Sequence, residues 1–378
     1  MLTLQGRDLT SGAGLVLEIS DGLITAMRTG DEVAPDAPWI APGLVDLQVN
    51  GFGDGDANAT RPSAEEITRM ARALAARGVT RFLPTVITAS REQMRARIGA
   101  IADACRDPLT AAMVAGIHVE GPSLSEQDGP RGVHPLEHIR PPDVRELDSW
   151  LEAADGLLRI VTLSPHHPGT VDAVTHLVQH GVRVSVGHTH ADEEQITAAV
   201  DAGASLCTHL GNGAHAALPR HPNYIWTQLA EGRLAAGVIA DGHHLPASTL
   251  KAMIAAKRDH GVFLVSDAVA TPRTLVEDGV STVGGGVALA ADGALRHVAS
   301  GFLAGSVQAL DIGVANAAGI LGSLADAVRL ASIVPSLLLD GRDPWRVGAR
   351  ADVLRFSWQP GDMAITPVSV HVAGERVR

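Results

Sequence analysis

The chain has 378 residues, 46% of them hydrophobic, with 40 glycines, only 3% aromatic side chains and a formal net charge of -12. Such a composition excludes a disordered chain and assigns core packing to Val, Ile, Leu and Ala. The acidic balance and the lack of any Lys/Arg run argue against a nucleic-acid partner, and no apolar run approaches the roughly 18 residues of a membrane span. Cys105 and Cys207 are the only cysteines. With no signal-like start, they predict a cytoplasmic protein without disulfides.

In chain order, the first segment carries short alternating runs, "GLVLEIS" and "GLITAMR", broken by Gly and Asp. "ADVLRFSW" and "AITPVSVHVAGERV" repeat that style at the C-terminus, so both ends predict antiparallel strands of one small β-sandwich domain, residues 1–41 with 335–378. Between them, residues 42–334 repeat a different unit: a short apolar run, a polar or glycine-rich loop, then an Ala-rich segment of helical period. The runs are "GLVDLQVN" (43–50), "VTRFLPTVI" (79–87), "MVAGIHVE" (113–120), "LRIVTLSP" (158–165), "VRVSVGHT" (182–189), "SLCTHL" (205–210), "LAAGVIAD" (234–241) and "VFLVSDA" (262–268). Eight strand signals separated by helical patterns predict a (β/α)8 TIM-like barrel. An open doubly wound sheet is the alternative, disfavoured because no glycine-rich dinucleotide fingerprint follows the first run.

Polar residues fall at the ends of these runs. Glu120 closes the third, His188 the fifth, His209 the sixth and Asp267 the eighth, which in a barrel is the face that carries chemistry. Each alone reads as a satisfied strand-end residue. Together, two imidazoles and one carboxylate suit a divalent ion, so Glu120, His188 and His209 are candidate metal ligands. A hydrolytic centre also needs a base, and Asp267 is placed for it, although an N-cap Asp would look the same. His134, in the loop after the third run, is placed to polarise a carbonyl, or is an exposed loop His.

The ordered strings "PGLVDLQVNG", "GIHVEGP", "RGVH", "VGHT", "THLGN", "IADGHH", "LVSDA" and "GFLAGS" resemble the N-acetylglucosamine-6-phosphate deacetylases of the amidohydrolase superfamily over nearly the whole chain. The resemblance implies removal of acetate from N-acetylglucosamine 6-phosphate. It assigns Glu120, His188 and His209 to the metal, Asp267 to acid/base catalysis, His134 to the carbonyl, and Asn212, Gly213 and His244 to the sugar phosphate. It further implies that Arg220 reaches the phosphate across a homodimer interface. Many amidohydrolases hold a second ion with His-x-His on the first strand. Here Gln48 and Asn50 occupy those positions, and amides are poor ligands beside imidazole, so one ion per chain is expected, with Gln48 and Asn50 at most lining the site. Zn is the first expectation, and Fe, Co or Mn fit the same ligands.

Some residues depart from the family pattern. Gly211, Gly213 and Ala214 surround the Asn, His190 stands in place of Asn or Asp, "SPHHP" replaces Ala-Pro-Glu, and Tyr224 and Trp226 follow Arg220. Trp226 is expected either to stack on a sugar or to pack. These departures leave open a related N-acetyl amino sugar, such as N-acetylgalactosamine 6-phosphate or an unphosphorylated sugar. A non-catalytic protein on the same barrel is the rival from another class, disfavoured because every ligand and the base are present.

Overall fold

The computed structural model describes residues 1–30, 33–34, 36–258, 261–271 and 286–378. Eight parallel strands follow one another in chain order around a barrel: Leu44–Val49, Val79–Ile87, Ile117–Glu120, Leu158–Leu163, Arg183–Val186, Leu206–Cys207, Ala235–Ile239 and Val262–Val265. Their residues are buried almost without a break, as both faces of such strands are covered. All six residues of Leu44–Val49, for example, are buried.

The connecting helices follow from their apolar spacing. Ala64–Ala75 buries Ile67, Met70, Ala71, Leu74 and Ala75, one face of a 3.6-residue period, and carries Glu65 and Glu66 in its first turn where the helix dipole favours anions. Glu193–Asp201 opens with a reciprocal capping box between Asp192 and Gln195.

Closure of the barrel sets up the site. Val49 bridges Ala268, the Asn50 amide N–H donates to the Ala268 carbonyl (2.8 Å), and the Asp267 N–H donates to the Gln48 carbonyl (3.1 Å). The end of the first strand is thereby held against the segment following the eighth.

Several ladders are shorter than the apolar runs that announce them. His188, His209 and Asp267 each lie two residues past the last paired residue, and all three have left-handed backbone, with φ of 47°, 28° and 50°. A residue at positive φ turns the chain out of the strand, and such conformations in non-glycine residues concentrate at functional sites.

Both termini contribute to a separate seven-stranded sheet, in the order Glu375–Arg376, Thr366–Val372, Val353–Ser357, Trp39–Pro42, Leu2–Asp8, Gly14–Ser20, Leu23–Thr29. Its pairings are antiparallel as expected, except that Leu2–Asp8 and Trp39–Pro42 run parallel. Leu4, Leu15, Leu17, Ile19, Ile24, Ile40, Ala351 and Val353 form its own apolar core. A small hairpin, Val287–Leu289 with Leu295–His297, packs Val287 and Leu295 onto Val269 and Ala304 beside the barrel mouth. Among the described residues, no helix is long and apolar enough to cross a membrane.

Candidate active site

A cavity of about 220 Å³ opens at the C-terminal face of the barrel, lined by Asn50, Glu120, His134, His188, His209, Asn212, Gly213, His244 and Asp267 together with Val269 and residues 302–305. Nine of the eleven residues singled out above line this one space. Gln48 lies directly beneath it. A larger groove of about 900 Å³ adjoins it and shares His134, Gly132 and Phe302; the chemistry belongs to the smaller cavity, where the ionisable groups converge.

At its floor, His209 Nε2 is 3.1 Å and His188 Nε2 3.4 Å from Glu120 Oε1, and the two Nε2 atoms are 3.0 Å apart. Ligands about 2.0 to 2.1 Å from a tetrahedral ion lie about 3.3 Å from one another, so these three atoms mark one face of such a coordination sphere. The His188 Nδ1–H donates to the Pro130 carbonyl (2.7 Å), which in a neutral ring leaves the Nε2 lone pair facing the other two ligands. Three electron-rich atoms directed at one point are mutually repulsive unless a cation lies between them. The donor set therefore fits a divalent ion. His209 Nδ1 is buried without a hydrogen-bond partner among the described residues.

Electrostatics follow from this crowding. Burial alone would push the Glu120 carboxyl up, but positive charge beside it, supplied by His188 and His209 where no ion lies between the three ligand atoms, outweighs it and holds Glu120 well below the ordinary range. Asp267 is shifted the other way. Its burial is the main cause, with the Glu120 charge adding to it, while His209 and the Asn50 amide pull in the opposite sense.

The first-strand amides are turned toward carboxylates. Gln48 Nε2 donates to Glu120 Oε1 (2.9 Å) and Asp267 Oδ1 (3.2 Å), and Asn50 Nδ2 donates to the same Asp267 oxygen (2.7 Å). His134 is fully buried, and burial with the neighbouring His188 lowers its pKa to about 3, so the ring is neutral. Its Nδ1 is 2.9 Å from Thr88 Oγ1, and its Nε2 is 4.0 Å from Glu120 Oε2, close enough to be an alternative metal donor. Gly213, at φ +55°, lies against the His188 ring, where a β-carbon would come within 2.7 Å of Nδ1.

Two partners in this site escape notice in the sequence. Asp241 accepts from the backbone N–H of His243 and His244 and pairs with His244 Nδ1 at 2.8 Å. Burial opposes its charge, but His244 outweighs that and lowers Asp241 to about 2. The signal was present in "IADGHH", an Asp three residues before a His. Thr88 had no comparable signal. Arg220 is exposed and lines neither cavity. Tyr224 is buried and takes a hydrogen bond from the His215 N–H (2.8 Å), a packing role. Trp226 is 59% exposed and is not part of the cavity wall, so within one chain it stacks on nothing that enters there.

Residues 39–343 match the model of the Amidohydrolase family. The chain belongs to that family. This amidohydrolase is 32% identical over 326 residues to the N-acetylgalactosamine-6-phosphate deacetylase of Escherichia coli O157:H7, covering 85% of this chain and 84% of that one. It is 33% identical to the N-acetylglucosamine-6-phosphate deacetylase of Vibrio furnissii, over 83% of this chain and 78% of that relative. A structure of N-acetyl-D-glucosamine-6-phosphate deacetylase from Mycobacterium smegmatis superimposes with a TM-score of 0.87 at 30% identity, covering 100% of both chains. The amidohydrolase is a hydrolase built on the barrel that its sequence pattern predicted.

Proposed function

We propose that this amidohydrolase removes the acetyl group from N-acetylglucosamine 6-phosphate, releasing acetate and glucosamine 6-phosphate. The observation that carries the reading is the meeting of Glu120 Oε1, His188 Nε2 and His209 Nε2 within 3.4 Å of one another, beside the buried Asp267. The names of the relatives supply the substrate class.

A divalent ion held by Glu120, His188 and His209 would supply Lewis acidity toward water and the acetyl carbonyl. One ion per chain fits the amides of Gln48 and Asn50, which present N–H groups to carboxylates and so act as donors. Both amides converge on Asp267 Oδ1, which fixes the carboxylate and leaves its other oxygen to take the proton of the attacking water. Asp267 then delivers that proton to the amine as the C–N bond breaks. Burial favours the protonated carboxyl between these steps, and a base whose pKa is raised toward the working pH serves both. Thr88 is nearer to His134 Nδ1 (2.9 Å) than to the Glu120 carbonyl (3.4 Å). Thr88 thereby fixes the ring, whose Nε2 faces the acetyl oxygen.

His244, oriented by Asp241, together with Asn212 and Gly213, faces the sugar phosphate in this reading. Arg220, exposed on the loop leading to the helix Tyr224–Ala230, completes the phosphate site of a second chain in a homodimer. Cys105 and Cys207 are free thiols, which supports a cytoplasmic setting.

The galacto epimer is a second reading, favoured by the comparable identity to relatives of both names. Acetate release from N-acetylglucosamine 6-phosphate, N-acetylgalactosamine 6-phosphate and both unphosphorylated sugars, with Zn, Fe, Co or Mn supplied, tests the assignment. The highest kcat/KM is expected on N-acetylglucosamine 6-phosphate. A higher value on the galacto epimer would replace it, and none on any sugar would sink the reading.

A further inference from the structure

Outside the cavity, on the same end of the barrel, the loops after the third, fourth and fifth strands bring together Glu126, His166 and His190, whose ligand atoms lie within 4.8 Å of one another. Two of these belong to the departures noted in the sequence: His166 to "SPHHP", and His190 two residues beyond His188. We propose that Glu126, His166 and His190 form a second metal site, separate from the catalytic centre and selective for a borderline divalent ion such as Zn, Co or Ni.

The argument lies in where the protons must be. Ser164 Oγ donates its hydrogen to Thr189 Oγ1 (2.7 Å), so its contact with His166 Nδ1 (2.6 Å) requires the ring to be the donor there. A neutral His166 then carries its lone pair on Nε2, and that atom is 3.2 Å from Glu126 Oε2. An imidazole lone pair facing a carboxylate oxygen is the arrangement found between His188 and Glu120, and in both places a cation between the two removes the repulsion.

Further contacts support a built site. His190 Nδ1 is held by Ser125 Oγ at 2.6 Å, so each imidazole has one nitrogen bonded to a serine, the outer support that orients metal-bound histidines. His166 is packed between His167 and His190, with ring centroids 3.8 and 4.1 Å away. Glu126 is exposed, so its side chain closes on an ion without moving the backbone. Two imidazoles and one carboxylate favour Zn, Co or Ni over Mg or Ca, which prefer oxygen ligands.

The test counts ions, which does not depend on the substrate assignment. The full chain is stripped with a chelator and titrated with Co(II), with bound metal read by elemental analysis after gel filtration and by visible absorption; Zn is titrated in parallel. Wild type should retain one ion per chain more than the double variant His166→Ala/His190→Ala, and the variant should keep wild-type turnover with its catalytic site loaded. Equal ion counts would overturn the proposal. Glu126→Gln, a change at an exposed side chain, keeps the test decisive if the double variant fails to fold: it should weaken binding of the additional ion at least tenfold, and unaltered affinity would overturn the site.

Discussion

At the mouth of the barrel, Glu120, His134, His188, His209 and Asp267 are buried together, three of them on left-handed backbone; the sheet made by the two termini buries Leu4, Leu15, Leu17 and Ile19 and keeps alternate residues in water. The first arrangement places charges where they cost free energy and is held by a closed network of donors. The second gains stability from apolar burial. The contrast implies a separation of labour: changes at the mouth should alter turnover more than stability, and changes in the terminal sheet should do the reverse.

The sharpest way to break that separation is Asp267→Asn. An amide keeps the shape but cannot carry the proton, so turnover should fall about 10²- to 10⁴-fold while the metal content stays unchanged. Near-normal turnover with metal bound would remove Asp267 from the proton path. On the other side, Leu17→Ala empties a fully buried position of the terminal sheet and should cost about 2 to 5 kcal/mol of unfolding free energy. Turnover per folded chain should be preserved, as denaturant titration and an assay at low temperature would show; a matching loss of kcat would tie the two regions together.

A third change tests how much the barrel gives up beneath its mouth. Asp46 is wholly buried, and desolvation, with the Asp267 charge adding to it, pushes its carboxyl up to about 7 against the hydrogen bonds from Ser266 and Gln48. Between about pH 4 and pH 7 the folded chain holds a proton that the unfolded chain has released, so stability declines as pH rises through that window. Asp46→Asn should remove this slope. Relative to wild type it should gain up to about 4 kcal/mol between pH 4 and pH 8, measured by thermal melts across the range; parallel curves would show that Asp46 is ionised without penalty.

The smallest expected effect concerns Arg220. Loss of one charge-assisted contact, about 1.5 to 3 kcal/mol, should raise KM for the 6-phosphorylated sugar by roughly one to two powers of ten and leave an unphosphorylated analogue nearly unaffected. Mixed with Asp267→Asn chains, Arg220→Ala chains should recover one intact site in a fraction of hybrid dimers. No recovery in verified hybrids would keep Arg220 out of a shared site, and equal losses on both substrates would end its phosphate role.

Much of this could be read directly from residues. The βα period was visible because parallel strands covered on both faces are continuous apolar runs, and the run 79–87 coincides with its strand. The positions of Glu120, His188, His209 and Asp267 were legible because barrel chemistry gathers where strands end, and a short polar residue after an apolar run marks that end without any coordinates. Strand lengths were less so: the run 205–210 yields only Leu206–Cys207 as paired strand, because His209 turns the backbone away and no apolar pattern reports φ.

What only folding brought about is distance and proton placement. Nothing local relates Gln48 to Asp267, 219 positions away, yet closure of the barrel makes the amide of one a donor to the carboxylate of the other. Thr88 and Pro130 orient His134 and His188 through contacts that depend on loop paths. The same holds for Glu126, His166 and His190, of which only the two histidines stand out in sequence, as departures from a family pattern. Hydrophobic period is a property of neighbours along the chain, so it survives in one dimension; the direction of a lone pair depends on which distant donor meets the other side of the ring, and that exists only once the loops are packed.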